Sequence, residues 1–194
     1  MISSTQEQYV VRRKVLKIFG AAFHVYDEHN SVIGYCKQKA FKLREDIRLY
    51  TSEDMSEPLL TLGTQQIIDF GATYQVTLPE SDVIGSLRRK GLKSSFFRDE
   101  WLIFNNQNEQ IATIKETGSI APLARRYVDY ANILLPEKYE IIRSRDQQVV
   151  AELKQRFNPF VFRLGLRIIE PDEDMDDLLL LGATCLIAAI EGRD

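Results

Sequence analysis

The sequence predicts a mainly β protein: a closed, mostly antiparallel barrel of roughly ten to twelve strands around a central hydrophobic C-terminal helix. Three observations lead there. Leu178–Ile190 reads LLLLGATCLIAAI, with no charge and only Thr184 as a clearly polar side chain. A surface helix shows one apolar stripe, so a segment apolar on every side needs burial on every side. The second observation is an internal repeat. Phe23, Tyr74, Trp101 and Tyr139 each open a unit with Val or Ile two residues later, then a polar patch, then an aliphatic residue ten positions after the aromatic. Period-two alternation on both sides of a polar turn makes a β-hairpin. The third observation concerns edges. A strand-rich chain removes its unpaired edges most completely by closing a barrel, and a barrel also encloses the apolar helix.

In chain order, residues 1–8 are polar. Tyr9–Phe19 reads as a strand, from its β-branched content and the Gly20 that follows. The four hairpin units begin 51, 27 and 38 residues apart, which excludes a regular solenoid. Ile33–Leu43 extends the second strand of the first hairpin. Ile47, Leu49, Leu60 and Leu62 continue the strand pattern around a loop, SEDMSEP. Thr64–Ala72 reads as a short strand, and Ala121–Asn132 as the one earlier helix, with Pro122 in its first turn. Phe160–Ile169 alternates and is the last strand. The core helix is expected over about residues 172–191, with Pro171 in its first turn. The acids of 172–177 then sit where the helix dipole favours negative charge. The whole chain, 1–194, reads as a single domain.

Composition narrows the function classes. Hydrophobic residues make up 44% of the 194 and charged residues 27%, with a net charge of -3. That balance argues against nucleic acid as a partner. Cys36 and Cys185 lie in apolar runs and read as reduced core thiols. The first twenty residues lack a secretory pattern, so a cytoplasmic location is expected. The apolar run is too short to span a bilayer, at roughly 20 Å against about 30 Å.

The segments FHVYDEHNSVIGYCKQKAFKLREDIRLY (23–50), LLTLGTQQIIDFGATYQV (59–76), IGSLRRKGLKSSFFRDEW (84–101) and the closing apolar helix resemble the LURP-one-related proteins. That family belongs to the tubby C-terminal-like superfamily, and the resemblance is to a bacterial-type member over about residues 8–192. It implies a barrel of twelve strands around the central helix. It carries no catalytic signature. Tubby domains bind phosphoinositide headgroups through exterior basic residues, which implies a phospholipid role, but no position here matches that site residue by residue. The related scramblases carry a cysteine cluster for acylation that this sequence lacks.

The sharpest surface feature is basic. Arg88, Arg89, Lys90, Lys93 and Arg98 bring five positive and no negative charges between Gly85 and Arg98. Lys37 and Lys39 stand at the same distances after Ile33 as Arg88 and Lys90 after Ile84. The expected ligand-binding residues are therefore Lys37, Lys39, Arg88, Arg89, Lys90 and Lys93, facing anionic phospholipid headgroups or an acidic protein partner. The competing reading is a solvated barrel face. A second basic set, Arg12, Arg13, Lys14 and Lys17, precedes the first hairpin. Neither His24 nor His29 has a ligand spacing for zinc. DEDMDD lacks the Gly and the distal Glu of a calcium loop. No nucleophile elbow or phosphate loop occurs. The expectation is a cytoplasmic, non-enzymatic binding or scaffold protein without cofactor or metal, peripheral at the inner membrane surface. The alternatives are a protein-interaction module with no lipid role, or a small-ligand protein or enzyme.

Overall fold

The computed structural model describes residues 6–14, 21–38, 47–64, 73–90, 100–117, 137–156, 158 and 161–191. Strand β1 (Tyr9–Lys14) comes first. Five hairpins follow: β2–β3 (Ala21–Asp27, Val32–Gln38), β4–β5 (Ile47–Tyr50, Pro58–Thr64), β6–β7 (Thr73–Thr77, Val83–Arg89), β8–β9 (Glu100–Phe104, Gln110–Glu116) and β10–β11 (Lys138–Arg143, Val149–Arg156). Strand β12 (Val161–Ile168) and helix α1 (Asp177–Glu191) complete the chain. Each strand pairs antiparallel with its neighbours, and β1 closes the ring on β12, from Tyr9 opposite Leu166 to Lys14 opposite Val161. The predicted Ala121–Asn132 helix and almost all of the predicted Thr64–Ala72 strand lie outside the described residues.

The four repeat units are hairpins, as their pattern predicts. Phe23, Tyr74, Trp101 and Tyr139 all point into the barrel and are buried. Each hairpin slips register just past its Val or Ile, at Val25/Tyr26, Val76/Thr77, Ile103/Phe104 and Ile141/Ile142. The β4–β5 hairpin slips at Leu49/Tyr50. Each of the five turns has one non-glycine residue at positive φ: Asn30, Met55, Ser81, Asn108 and Gln147. A left-handed turn residue followed by an uneven strand pairing is how a bulged hairpin turn is made. The shared plus-ten spacing is thus a turn type repeated along the chain.

Inside the ring lies α1. Leu179, Leu180, Leu181, Leu186 and Ile187 are buried almost completely, each contributing about 1.5–3 kcal/mol. The helix touches β5 and β7 on one side of the ring and β1 and β12 on the other. Thr184 is the polar exception, and its hydroxyl donates to the Leu180 carbonyl at 2.8 Å, one turn back. A glycine of the wall makes room for the helix. A Cβ on Gly85 would lie 2.5 Å from the Phe104 carbonyl oxygen and 2.9 Å from Leu179 Cδ2.

The helix begins later than the sequence suggests. It starts at Asp177, not near 172, and Pro171 precedes it. Asp172 and Met175 form a small bridge of their own, and Met175 is buried. Asp176 then caps α1, its carboxylate accepting the Leu178 amide at 2.7 Å. The acids before it are drawn off to arginines, which is why a run of good N-terminal residues does not extend the helix. No helix among the described residues is long and apolar enough to cross a membrane.

Candidate anion-binding surface

Strand direction sorts the charges. Because neighbours alternate, every odd-numbered strand ends at the same mouth of the barrel, while all five hairpin turns sit at the other. The turn mouth carries Glu28, Glu53, Asp54, Glu57, Glu80, Asp82, Glu109 and Asp146, joined by the acids that lead into α1. Against these stand Arg143, Arg145 and, near the end of β12, Arg167. The opposite mouth carries Lys14, Lys37, Arg88, Arg89, Lys90, Lys115, Lys138, Lys154, Arg156 and Arg163 at or near strand ends, with Glu100, Glu116, Glu137 and Glu140 among them. A net charge of -3 therefore conceals a barrel with an acidic end and a basic end. The macrodipole of α1 opposes this separation, its positive N-terminus lying at the acidic mouth.

Of the expected ligand residues, Lys39 and Lys93 lie outside the described residues. Lys37 stands opposite Ala22 on β3. Arg88, Arg89 and Lys90 end β7, four strands away around the ring. The two basic sets share a mouth but not a strand neighbourhood. Nor do the three β7 residues share a face. Leu87 and Arg89 have the inward parity, and Arg89 lies 5.9 Å from the buried Trp101 ring. Arg88 points outward, donating to Thr73 Oγ1 at 3.0 Å and resting over the Phe104 ring at 4.6 Å. Lys90 pairs with Glu100 at 2.7 Å.

The flank beside this mouth holds a second arrangement. Arg156 of β11 stands directly opposite Arg163 of β12, and Arg163 directly opposite Arg12 of β1. All three point outward, since Leu153, Leu164 and Val11 on the other parity are fully buried. An open groove of about 1050 Å³ lies over Val10 and Gly165, with Arg12, Lys154, Arg156 and Arg167 at its sides and Asp27, Glu28 and Glu152 among them, while Arg163 stays outside it. The Arg12 guanidinium donates to Asn30 Oδ1 and rests 3.9 Å over the Tyr26 ring. Glu7 lies across the groove. Its carboxylate is held by Arg156, at 3.1 Å from Nε and 2.9 Å from the second nitrogen, and rests directly on Gly165.

At the acidic mouth, Arg143 is buried and bonded to three carboxylates: Asp146, Glu170 (3.1 Å) and Asp172 (2.8 Å). Arg145 adds a bond to Asp172 at 3.0 Å. Arg143 holds the Asp146 carboxyl down to about 2. Burial of Asp172 opposes its ionisation, yet the bonds from Arg143 and from the Asp174 amide outweigh it and keep its pKa low. Asp177 has no such help: burial and the neighbouring Asp176 push its pKa up.

Residues 7–185 match the sequence profile of the LURP-one-related family. This chain belongs to that family. A solved structure from Arabidopsis thaliana, titled only as a protein of that plant, is similar in fold, with a TM-score of 0.51 at 14% identity over 100% of this chain and 99% of that one. At that identity the likeness speaks for the barrel alone. A search of curated proteins finds no match.

For this LURP-one-related barrel, the family pattern explains the wall and the core helix but assigns no site. Arg156, Arg163 and Arg143 were not among the residues singled out from the sequence. Each is one cation among strand or turn residues, and only the pairing register brings them to their partners. His24 faces away from the buried Phe23 and Val25. It bonds Glu53 at 2.6 Å and packs 5.1 Å from the Tyr35 ring.

Proposed function

We propose that this LURP-one-related chain is a non-enzymatic binding protein of the cytoplasm whose basic end meets an anionic surface, in the first place the phospholipid headgroups of the inner membrane leaflet. The observation that supports this is the separation of charge between the two mouths. A ring of strand-end cations suits an extended anionic surface, where each Lys or Arg near the lipid is worth about 1 kcal/mol. The acidic end would point away, repelled by the same surface. The non-enzymatic part rests on α1, which fills the space where an enclosed substrate would lie.

Co-sedimentation of the purified protein with neutral and anionic vesicles across a salt series tests it. Binding to anionic vesicles alone, weakening as salt screens charges beyond about 8 Å, is expected. The Arg88/Arg89/Lys90 triple alanine variant should bind less. Equal partition to neutral and anionic vesicles would count against it.

One observation favours a protein partner at the other mouth. Val32, Met55 and Val83, the exposed large hydrophobics among the described residues, sit at the tips of three successive hairpins on the acidic side. A partner recovered equally well after charge reversal of the basic end would support that reading.

A further inference from the structure

The acidic mouth is not uniform. Three of its turns, DEHNSV (27–32), TSEDMSE (51–57) and LPESDV (78–83), each hold carboxylates and an exposed large hydrophobic, and none holds a Lys or Arg. The turns NNQNE (105–109) and SRDQQ (144–148) hold no large apolar residue, and Arg143 binds the one acid of the second. The three acidic and apolar turns are consecutive around the ring, because β3 pairs with β4 and β5 with β6. Neighbouring tips therefore stand two strand spacings apart, about 10 Å.

Local structure does not ask for these apolar residues. Val32 is 47% exposed, Met55 39% and Val83 38%. Met55 also occupies the left-handed position of its turn, at φ 58°, where the other four hairpins have Asn30, Ser81, Asn108 and Gln147. Asn tolerates that region better than Met, so Met55 costs turn stability as well as exposing apolar surface. Nor are the acids balanced. Among the described residues, no Lys or Arg lies within ion-pair distance of a carboxylate in these turns. His24 holds Glu53 at 2.6 Å, His29 lies within 4.0 Å of Asp27 and Glu28, and Arg12 bonds to Asn30 instead of an acid.

We infer that the three tips dock a basic amphipathic helix of a partner protein, its apolar stripe on Val32, Met55 and Val83 and its Lys and Arg toward the surrounding carboxylates. Exposed apolar side chains ringed by acids are the complement of apolar side chains ringed by cations. The same carboxylates repel nucleic-acid phosphate and an anionic membrane, and a metal ion has no use for Val or Met. Residues one heptad apart on a helix are separated by about 10.5 Å, which matches neighbouring tips. Met55, in the middle, is the side chain best able to adjust to what it meets. The inference rests on the reading of the acidic mouth as a protein-docking end, and it names the partner's chemistry. The contact is small, so micromolar affinity is expected.

The test uses the full chain and three fluorescent peptides of about 18 residues, roughly 27 Å of helix. The first has Leu along one helical stripe and Lys elsewhere. The second scrambles the same residues, and the third replaces each Lys with Glu. Fluorescence anisotropy should show the first binding about tenfold more tightly than the second, with affinity falling as salt rises. Met55→Asn should weaken that binding about fivefold while leaving thermal stability unchanged or higher, since Asn suits the turn. Val32→Thr/Val83→Thr, which keeps the β-branched side chains, is a second loss variant. Glu57→Gln/Glu80→Gln/Asp82→Asn should weaken binding and flatten its salt dependence.

Equal binding of the first two peptides overturns the inference, as does unchanged affinity in both loss variants. Preference for the Glu peptide, lost in Met55→Asn, overturns the basic chemistry and leaves the acidic mouth as a docking end. Concentration-dependent self-association in sedimentation velocity, abolished by Met55→Asn, overturns the inference in favour of a second copy of the chain. No binding by any of the three peptides overturns the inference alone, since recovery of a partner after charge reversal of the basic end tests the docking reading separately.

Discussion

Gly85 on β7 packs against Leu179 in the first turn of α1, with the Leu179 methyl groups in the space a side chain at 85 would need. The Phe104 carbonyl of the next strand closes the other side. A methyl group at 85 therefore meets backbone as well as a side chain, and backbone in a closed barrel cannot yield alone. Gly85→Ala should destabilise the protein by about 1–3 kcal/mol, the usual cost of overpacking, seen as a lower denaturant midpoint with unchanged slope. A neutral or stabilising result would mean that α1 is not seated against β7 there.

Arg143 should matter far more than any other cation at the turn mouth. It is the buried hub that joins the β10–β11 turn to the segment entering α1. Arg143→Met leaves Asp172 buried without its main partner, the situation in which a broken ion pair is most damaging. Thermal unfolding should move down well beyond the shift for Lys90→Ala, whose exposed pair with Glu100 is worth ~0–1 kcal/mol. Comparable small shifts in both would show the network to be incidental.

The same hub sets a pH dependence. Asp146 and Asp172 have folded pKa values below the ordinary carboxylate range, Asp146 at about 2. A depressed folded pKa gives stability that is fully present above the unfolded value, near 4, and is lost as pH falls toward the folded one. Asp177, with a raised pKa, acts in the opposite sense and is relieved by acid. Stability followed from pH 5 to pH 2 should fall, and Asp146→Asn should flatten that slope. An identical slope in the variant would remove Asp146 from the account.

Much of this fold was legible because its signals are local. An aromatic, an aliphatic residue two places on, and a turn of fixed type announce each hairpin within a dozen residues. The uncharged Leu178–Ile190 run, apolar but for Thr184, demanded an enclosure. The β4–β5 hairpin was readable as two strands but not as a fifth copy, since Ile47 stands where the others have the aromatic and Glu57 where they have the aliphatic residue at plus ten. The site was less legible for a reason of strand geometry. Consecutive residues of a strand face opposite ways, so the run Arg88-Arg89-Lys90 cannot form one face, however prominent it is in the sequence. Arg12, Arg156 and Arg163 contribute one cation each from distant strands, and only a register spanning some 150 residues aligns them.

Cys36 on β3 and Cys185 in α1 are both fully buried. Burial pushes both thiols up, Cys185 to about 12, so neither forms the reactive thiolate at neutral pH. Native protein should resist thiol labelling, with a rate that rises only as denaturant opens the barrel. Rapid labelling of folded protein would show that wall and helix separate more readily than their packing allows.

That inertness permits the most direct test of the central claim, that the basic mouth faces an anionic surface. Thr117→Cys places a labelling site at the basic mouth, beside Lys138. Val32→Cys places one at a hairpin tip of the acidic mouth. With a fluorophore on each, bound to anionic vesicles containing a quencher at headgroup depth, the label at 117 should be strongly quenched and the label at 32 should not, and high salt should abolish the difference. Quenching of the label at 32 alone, or equal quenching of both, would contradict the account.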